Sequence, residues 1–175
     1  MERRWVIRFL PGIAALALTG CVSYSGYGLK PGEATTTDVI ASMGEPALRW
    51  QEPDGRQQLA FPRGPEGTHT FMAYIGADGR LERIESVLEA PYLRRITPGS
   101  STTADVLRLI GPPESRWTEY FERRDELAWE WRICDDSWHA ARFDVLFDGK
   151  SGVVRSTMQR QERRWPDGGT ISCAH

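Results

Sequence analysis

Most of what would mark an enzyme or a nucleic-acid binder is missing from these 175 residues. There are three histidines, His69, His139 and His175, and none sits at a metal-ligand spacing such as His-x-x-x-His. There is no glycine-rich phosphate loop, since Gly64-Pro65-Glu66-Gly67 reads as a long hairpin tip. There is no Gly-x-Ser-x-Gly elbow and no carboxylate pair in a legible catalytic frame. A basic excess is also lacking. Lys and Arg number 22 against 24 Asp and Glu, a net charge of −2. The first 20 residues carry three Arg and one Glu, so the remainder is more acidic still. That balance excludes the electrostatic footprint of a nucleic-acid binder. No apolar run is long enough to span a bilayer. Phe9–Leu18 offers ten residues, where a helix crossing about 30 Å of hydrocarbon needs about 20. Aromatics, by contrast, are plentiful, with seven Trp, which argues for a packed globule.

The start of the chain explains one of the three cysteines. Met1–Arg8 is cationic, Phe9–Leu18 is short and apolar, and Leu18-Thr19-Gly20-Cys21 follows. The order matches an export signal over residues 1–20. The last four residues resemble the bacterial lipobox, which implies cleavage before Cys21 and a diacylglycerol on its thiol. Residue 22 is Val, not Asp, and this resembles an outer-membrane address. The expected location is therefore the periplasmic face of the outer membrane, held by lipid. Residues 21–30 are small and polar and are expected to form a flexible tether.

An internal repeat organises the rest. Pro31–Pro46 aligns with Pro98–Pro113 at an offset of 67 without gaps, and the match extends to Arg49-Trp50 against Arg116-Trp117. Of these 20 positions, 10 are identical. Thr35 and Thr102 are N-cap residues, and Asp38 and Asp105, three positions on, complete capping boxes. Val39, Ile40 and Met43 form an apolar stripe, repeated by Val106, Leu107 and Ile110. Gly44 and Gly111 suit left-handed C-terminal caps, and prolines end both helices. Period-two strands follow each helix: Phe71, Ala73 and Ile75 in the first unit; Leu127, Trp129, Trp131 and Ile133, then Phe143, Val145 and Phe147, in the second. One apolar face per strand points to antiparallel sheets covered on one side by the helix. The expected fold is α+β: two tandem units, residues 31–90 and 91–165, each a short helical segment on a 3–4-stranded antiparallel meander, then a tail, 166–175. Leu59 and Phe61 are matched with Leu127 and Trp129, and Phe71 with Phe143. Ala90–Arg95, between the units, includes a short helix.

The block Pro-Gly-x-x-Thr-x-x-Asp-Val-x-x-x-x-Gly-x-Pro resembles the BamE/SmpA/OmlA family of small outer-membrane lipoproteins. The doubled arrangement is similar to the β-lactamase inhibitor protein family. The resemblance implies a non-enzymatic protein that binds an envelope partner, with the β-barrel assembly machine as one such partner, or an inhibitor or sensor gripping a periplasmic enzyme. It implies no cofactor, no metal and no small-molecule substrate.

Cys134 and Cys173 remain. In an oxidising compartment a bridge between them would pin the tail to the second sheet, adding roughly 3–4 kcal/mol in the chain-entropy picture. Two free thiols or a mixed disulfide are the alternatives. Cys134-Asp135-Asp136-Ser137-Trp138-His139 is read as a polar hairpin loop, with a metal site or Cys–His nucleophile as the competing reading. Trp138 and Trp165 are candidate interface residues, since Trp concentrates at binding hot spots; the alternative is that they cover the edge of a small core. Arg123-Arg124, Arg160 and Arg163-Arg164 are short basic clusters facing solvent, lipid headgroups or an acidic partner.

Overall fold

The structure, a computed structural model, describes residues 23–64, 67–164 and 166–173; the signal, Cys21 and Trp165 lie outside them. The fold is α+β with two antiparallel sheets of four strands each. The first unit runs α1 (Thr36–Met43), β1 (Leu48–Gln51), β2 (Gln57–Pro62), β3 (Thr70–Ile75) and β4 (Leu81–Ser86). A short helix, α2 (Ala90–Leu93), leads into the second unit: α3 (Thr103–Ile110), β5 (Thr118–Phe121), β6 (Glu126–Cys134), β7 (Ala140–Asp148) and β8 (Val154–Gln161). In each sheet the strands pair in chain order.

Both long helices start as their sequences dictate. The Thr35 hydroxyl accepts from Asp38 N at 3.3 Å and the Asp38 carboxylate accepts from Thr35 N at 2.8 Å; Thr102 and Asp105 repeat both distances. These bonds hold the carboxyls of Asp38 and Asp105 below the usual carboxylate range. The C-terminal glycines differ from expectation. Gly44 and Gly111 have φ of 86° and 80° but ψ of −175° and −178°, an extended region open essentially to glycine alone, not the left-handed helical cap.

Each helix is also moored to the last hairpin of its own unit, β3–β4 or β7–β8, by one repeated set of bonds. Thr36 N donates to Gly79 O at 3.0 Å and Leu81 N to Ala34 O at 2.8 Å. Thr103 N donates to Gly152 O at 2.9 Å and Val154 N to Ser101 O at 2.8 Å. The β-bulges coincide too, at Tyr74/Ile75 and Leu146/Phe147.

The strands correct the sequence alignment. Phe61 faces Phe71 across β2–β3, and the residue facing Phe143 is Trp131. The structural counterparts of Leu59 and Phe61 are therefore Trp129 and Trp131, two residues beyond Leu127 and Trp129. A slip of two keeps every side chain on its face, so alternation could not detect it. The turn Ser115–Trp117 before β5 is one source of extra length, and it leaves Trp117 outside β5 whereas Trp50 lies within β1.

Burial departs further. One core lies between α1 and the first sheet: Val39 and Met43 against Leu59, Phe61, Phe71, Ala73 and Ile75. The other face of that sheet is covered as well. Ala60 and Met72 join Val106 and Ile110 of α3 and Trp131, Phe143, Val145 and Phe147 of the second sheet in one larger core. So α3 is shared, packing on its own sheet and on its neighbour's. Small Ala60 lets it approach: a Cβ on Gly111 would lie 3.8 Å from Ala60 and 2.8 Å from Thr70. Gln58, buried on this face, donates Nε2 to Arg108 O at 2.6 Å, satisfying a last-turn carbonyl of α3. Arg108 also pairs with Glu52 and lies 5.4 Å from the Trp50 ring centroid. The expectation of sheets covered on one side thus fails for the first sheet.

The segment expected to be a loose tether is held from residue 23 onward. Ser23 N donates to Ser42 O at 2.6 Å. Arg63 donates to three carbonyls, Tyr24 at 2.6 Å and Ser23 and Met43 at 3.2 Å each. Ser42 and Met43 close α1, so their carbonyls have no partner within the helix; the incoming chain supplies one to Ser42 and Arg63 supplies one to Met43. Gly26 is buried with φ 75°, and a Cβ there would come within 2.6 Å of Ile84 Cδ1. Gly26 is small because its slot is tight.

Candidate partner-binding cleft

Strand β6 ends at Cys134 and β7 begins at Ala140, and the five residues between form a bonded turn. Asp135 Oδ1 accepts from Ser137 N and His139 N, both at 2.9 Å, and Oδ2 accepts from Gln161 at 3.1 Å. Burial works against the Asp135 charge. The bonds from His139, Gln161 and Ser137 outweigh it and hold the carboxyl below its ordinary range. Trp138 N donates to Asp135 O at 3.0 Å and Trp138 O accepts from Cys173 N at 2.9 Å. These bonds keep Trp138 at φ 60°, where non-glycine residues are uncommon, with the residue 64% exposed.

The tail backs this turn. Ala140 N donates to Ile171 O at 2.7 Å, and His139 bridges to Ser172. The sulfurs of Cys134 and Cys173 are at bonding distance, 2.07 Å, with Cα atoms 5.9 Å apart. With Cys134 in a disulfide, it offers no thiolate to the neighbouring His139. Among the described residues no group of three His, Cys, Asp or Glu is placed to hold a metal ion, and no helix is long and apolar enough to cross a membrane.

Trp138 borders a cleft of about 410 Å³ between the units, which His69, Leu88 and Pro91 line from one side and Asp135 and Asp136 from the other. Sequence reasoning named Trp138 but missed His69. That ring stacks on Phe71 at 5.7 Å and its Nδ1 lies 3.3 Å from the Tyr24 hydroxyl. Burial lowers the His69 pKa, partly offset by Glu89, which favours the neutral ring. Its partner Tyr24 lies 45 positions away, so only the fold could join them.

A larger hollow of about 600 Å³ lies where the first sheet meets α2 and α3. Part of its charge is engaged: Arg83 donates to Glu85 at 2.9 Å and sits 3.6 Å over the Tyr74 ring. Two arginines of the basic clusters seen in sequence are drawn into ion pairs as well, while Arg123, Arg163 and Arg164 stay exposed. Arg124 pairs with Glu126 at 3.0 Å, and Arg160 with Asp144 at 3.1 Å and with Glu130. Arg132 and Arg142 share Glu162 on the same outer face of the second sheet. The Trp138 cleft combines an exposed, rigidly presented aromatic with apolar walls.

No known protein family, curated protein or solved structure matches this chain.

Proposed function

We propose that this chain is a non-enzymatic lipoprotein of the outer membrane, anchored through Cys21 on the periplasmic face, that binds an envelope protein partner through the cleft beside Trp138. The observation that carries the reading is the preparation of Trp138. A large amphipathic side chain is set out into solvent on a backbone fixed by Asp135, Cys173 and the adjacent disulfide. Such an anchor loses little conformational freedom when a partner closes over it. The lipobox-like Leu18–Cys21 supports the anchor, and the resemblance of both helix blocks to the BamE/SmpA/OmlA family supports a role in outer-membrane protein assembly.

A photo-crosslinking amino acid at position 138, in otherwise unaltered cells, tests this. The expected product is a discrete adduct with a component of the barrel-assembly machinery. An adduct with a periplasmic enzyme would favour the inhibitor reading instead. Absence of any adduct from 138, when the same probe at Met158 behaves identically, would refute the cleft as the binding site.

A further inference from the structure

Ser23, the first described residue, lies two positions from the proposed lipid site. One residue, Val22, separates Cys21 from Ser23, and a chain advances at most about 3.6 Å per residue. Ser23 is fixed to the end of α1 by its bond to Ser42 O and by the Arg63 clamp. The Cα of the lipid-bearing residue is therefore within about 7 Å of a rigid part of the fold. A linker of ten or more residues would let the module hang free in the periplasm; this one cannot.

We infer that the pole of the molecule around Ser23, Tyr24 and His69 is apposed to the lipid headgroups, with the Trp138 cleft opening at that level. This rests on the lipoprotein reading and adds an orientation to it. The Tyr24 ring, 53% exposed, lies 5.9 Å from His69, and His69 borders the cleft that Trp138 borders. Tyr and Trp are the side chains that settle at a membrane–water boundary. The opposite pole is set by strand length. β7 runs nine residues from the Trp138 turn to the hairpin at Gly149–Gly152, about 30 Å away. Charge selects the kind of surface. The pole carries Asp135, Asp136 and Glu89 against the exposed Arg163 and Arg164 that the tail pairings bring to the same end, so neither sign of charge dominates there. A zwitterionic headgroup layer suits it. The partner that reaches Trp138 must accordingly be embedded in the membrane or lie along it.

Spin labels on the lipidated full-length protein test the orientation. Ser25→Cys places a label on an exposed residue of the near pole, and Lys150→Cys places one at the far hairpin, with a side chain 89% exposed. The protein is reconstituted in phosphatidylethanolamine–phosphatidylcholine vesicles. The label at 25 is expected to collide several-fold more with membrane-dissolved oxygen, relative to an aqueous nickel chelate, than the label at 150. Ten Gly/Ser residues inserted between Val22 and Ser23 should abolish that difference while leaving the protein on the vesicles. Equal, water-like behaviour at both sites in vesicle-bound protein would overturn the apposition and leave the anchor standing. Persistence of the difference despite the insertion would overturn the short-tether argument. Membrane association unaffected by Cys21→Ala would remove the lipoprotein reading itself.

Discussion

If α3 belongs to both sheets, the two units share one core and cannot unfold separately. Met72 tests this most directly. It sits on the first sheet's α3-facing side and is fully buried. Met72→Ala removes three heavy atoms from a packed site, and such truncations cost about 2–5 kcal/mol because the cavity refills only in part. Taking about 3 kcal/mol and a urea dependence of about 2 kcal/mol per molar, the unfolding midpoint should fall by about 1.5 M. The informative signal belongs to the other unit: Trp129 and Trp131, edge-to-face at 6.1 Å in the second sheet, are expected to contribute to near-ultraviolet dichroism, and Trp50→Phe, in parent and variant alike, removes the first unit's Trp from that signal. Under oxidising conditions the substitution should move that signal by the full 1.5 M or so in a single transition coincident with backbone dichroism. Met158→Ala, on a half-exposed site, should leave it within about 0.5 kcal/mol of the parent. Two separate transitions, with the Trp signal unmoved by Met72→Ala, would refute the shared core.

Other outcomes follow from single contacts. Replacing Cys134 and Cys173 by Ser opens a loop spanning 39 residues and should cost about 4 kcal/mol by denaturation, with amides 170–173 losing exchange protection first. Thr35→Ala and Thr102→Ala should each cost about 1 kcal/mol, nearly equally, because the two caps are geometrically the same. Gly26→Ala should expose the N-terminal segment to proteolysis, since φ 75° and the Ile84 contact both resist a methyl group. Asp135 ionises more readily folded than unfolded, so its contribution is full above the unfolded value near 3.8 and is lost as pH falls through the lower folded value. Asp135→Asn should flatten that acid limb in a melting-temperature profile.

The helices were legible because their signals are local. A capping box, an apolar stripe and a terminal glycine all fall within ten residues, and the repetition of the block doubled the signal. Strand existence was legible from alternation for the same reason. What stayed hidden depends on distant partners. Alternation shows which face of β2 is apolar, but Ala60 and Gln58 look like an unremarkable outer face until α3 packs there. The segment after Ser23 looks like a linker because glycine and serine serve tight slots and loose chains alike. Trp138 could be nominated from residue type alone, yet its bonded backbone and its neighbour His69 needed the fold.

The register that equates Phe61 with Trp131 also equates the cross-strand pair Ala60 and Met72 with Glu130 and Asp144. In the first unit that pair is the seat for the next unit's helix. In the second it is carboxylates matched to Arg142 and Arg160, and burial together with the Asp144 neighbour pushes the Glu130 carboxyl upward. A third module arriving there would have to strip hydration from an ionic lattice to gain a seat with no apolar floor. These few side chains make the outer face of the second sheet a poor seat for a further unit of this kind.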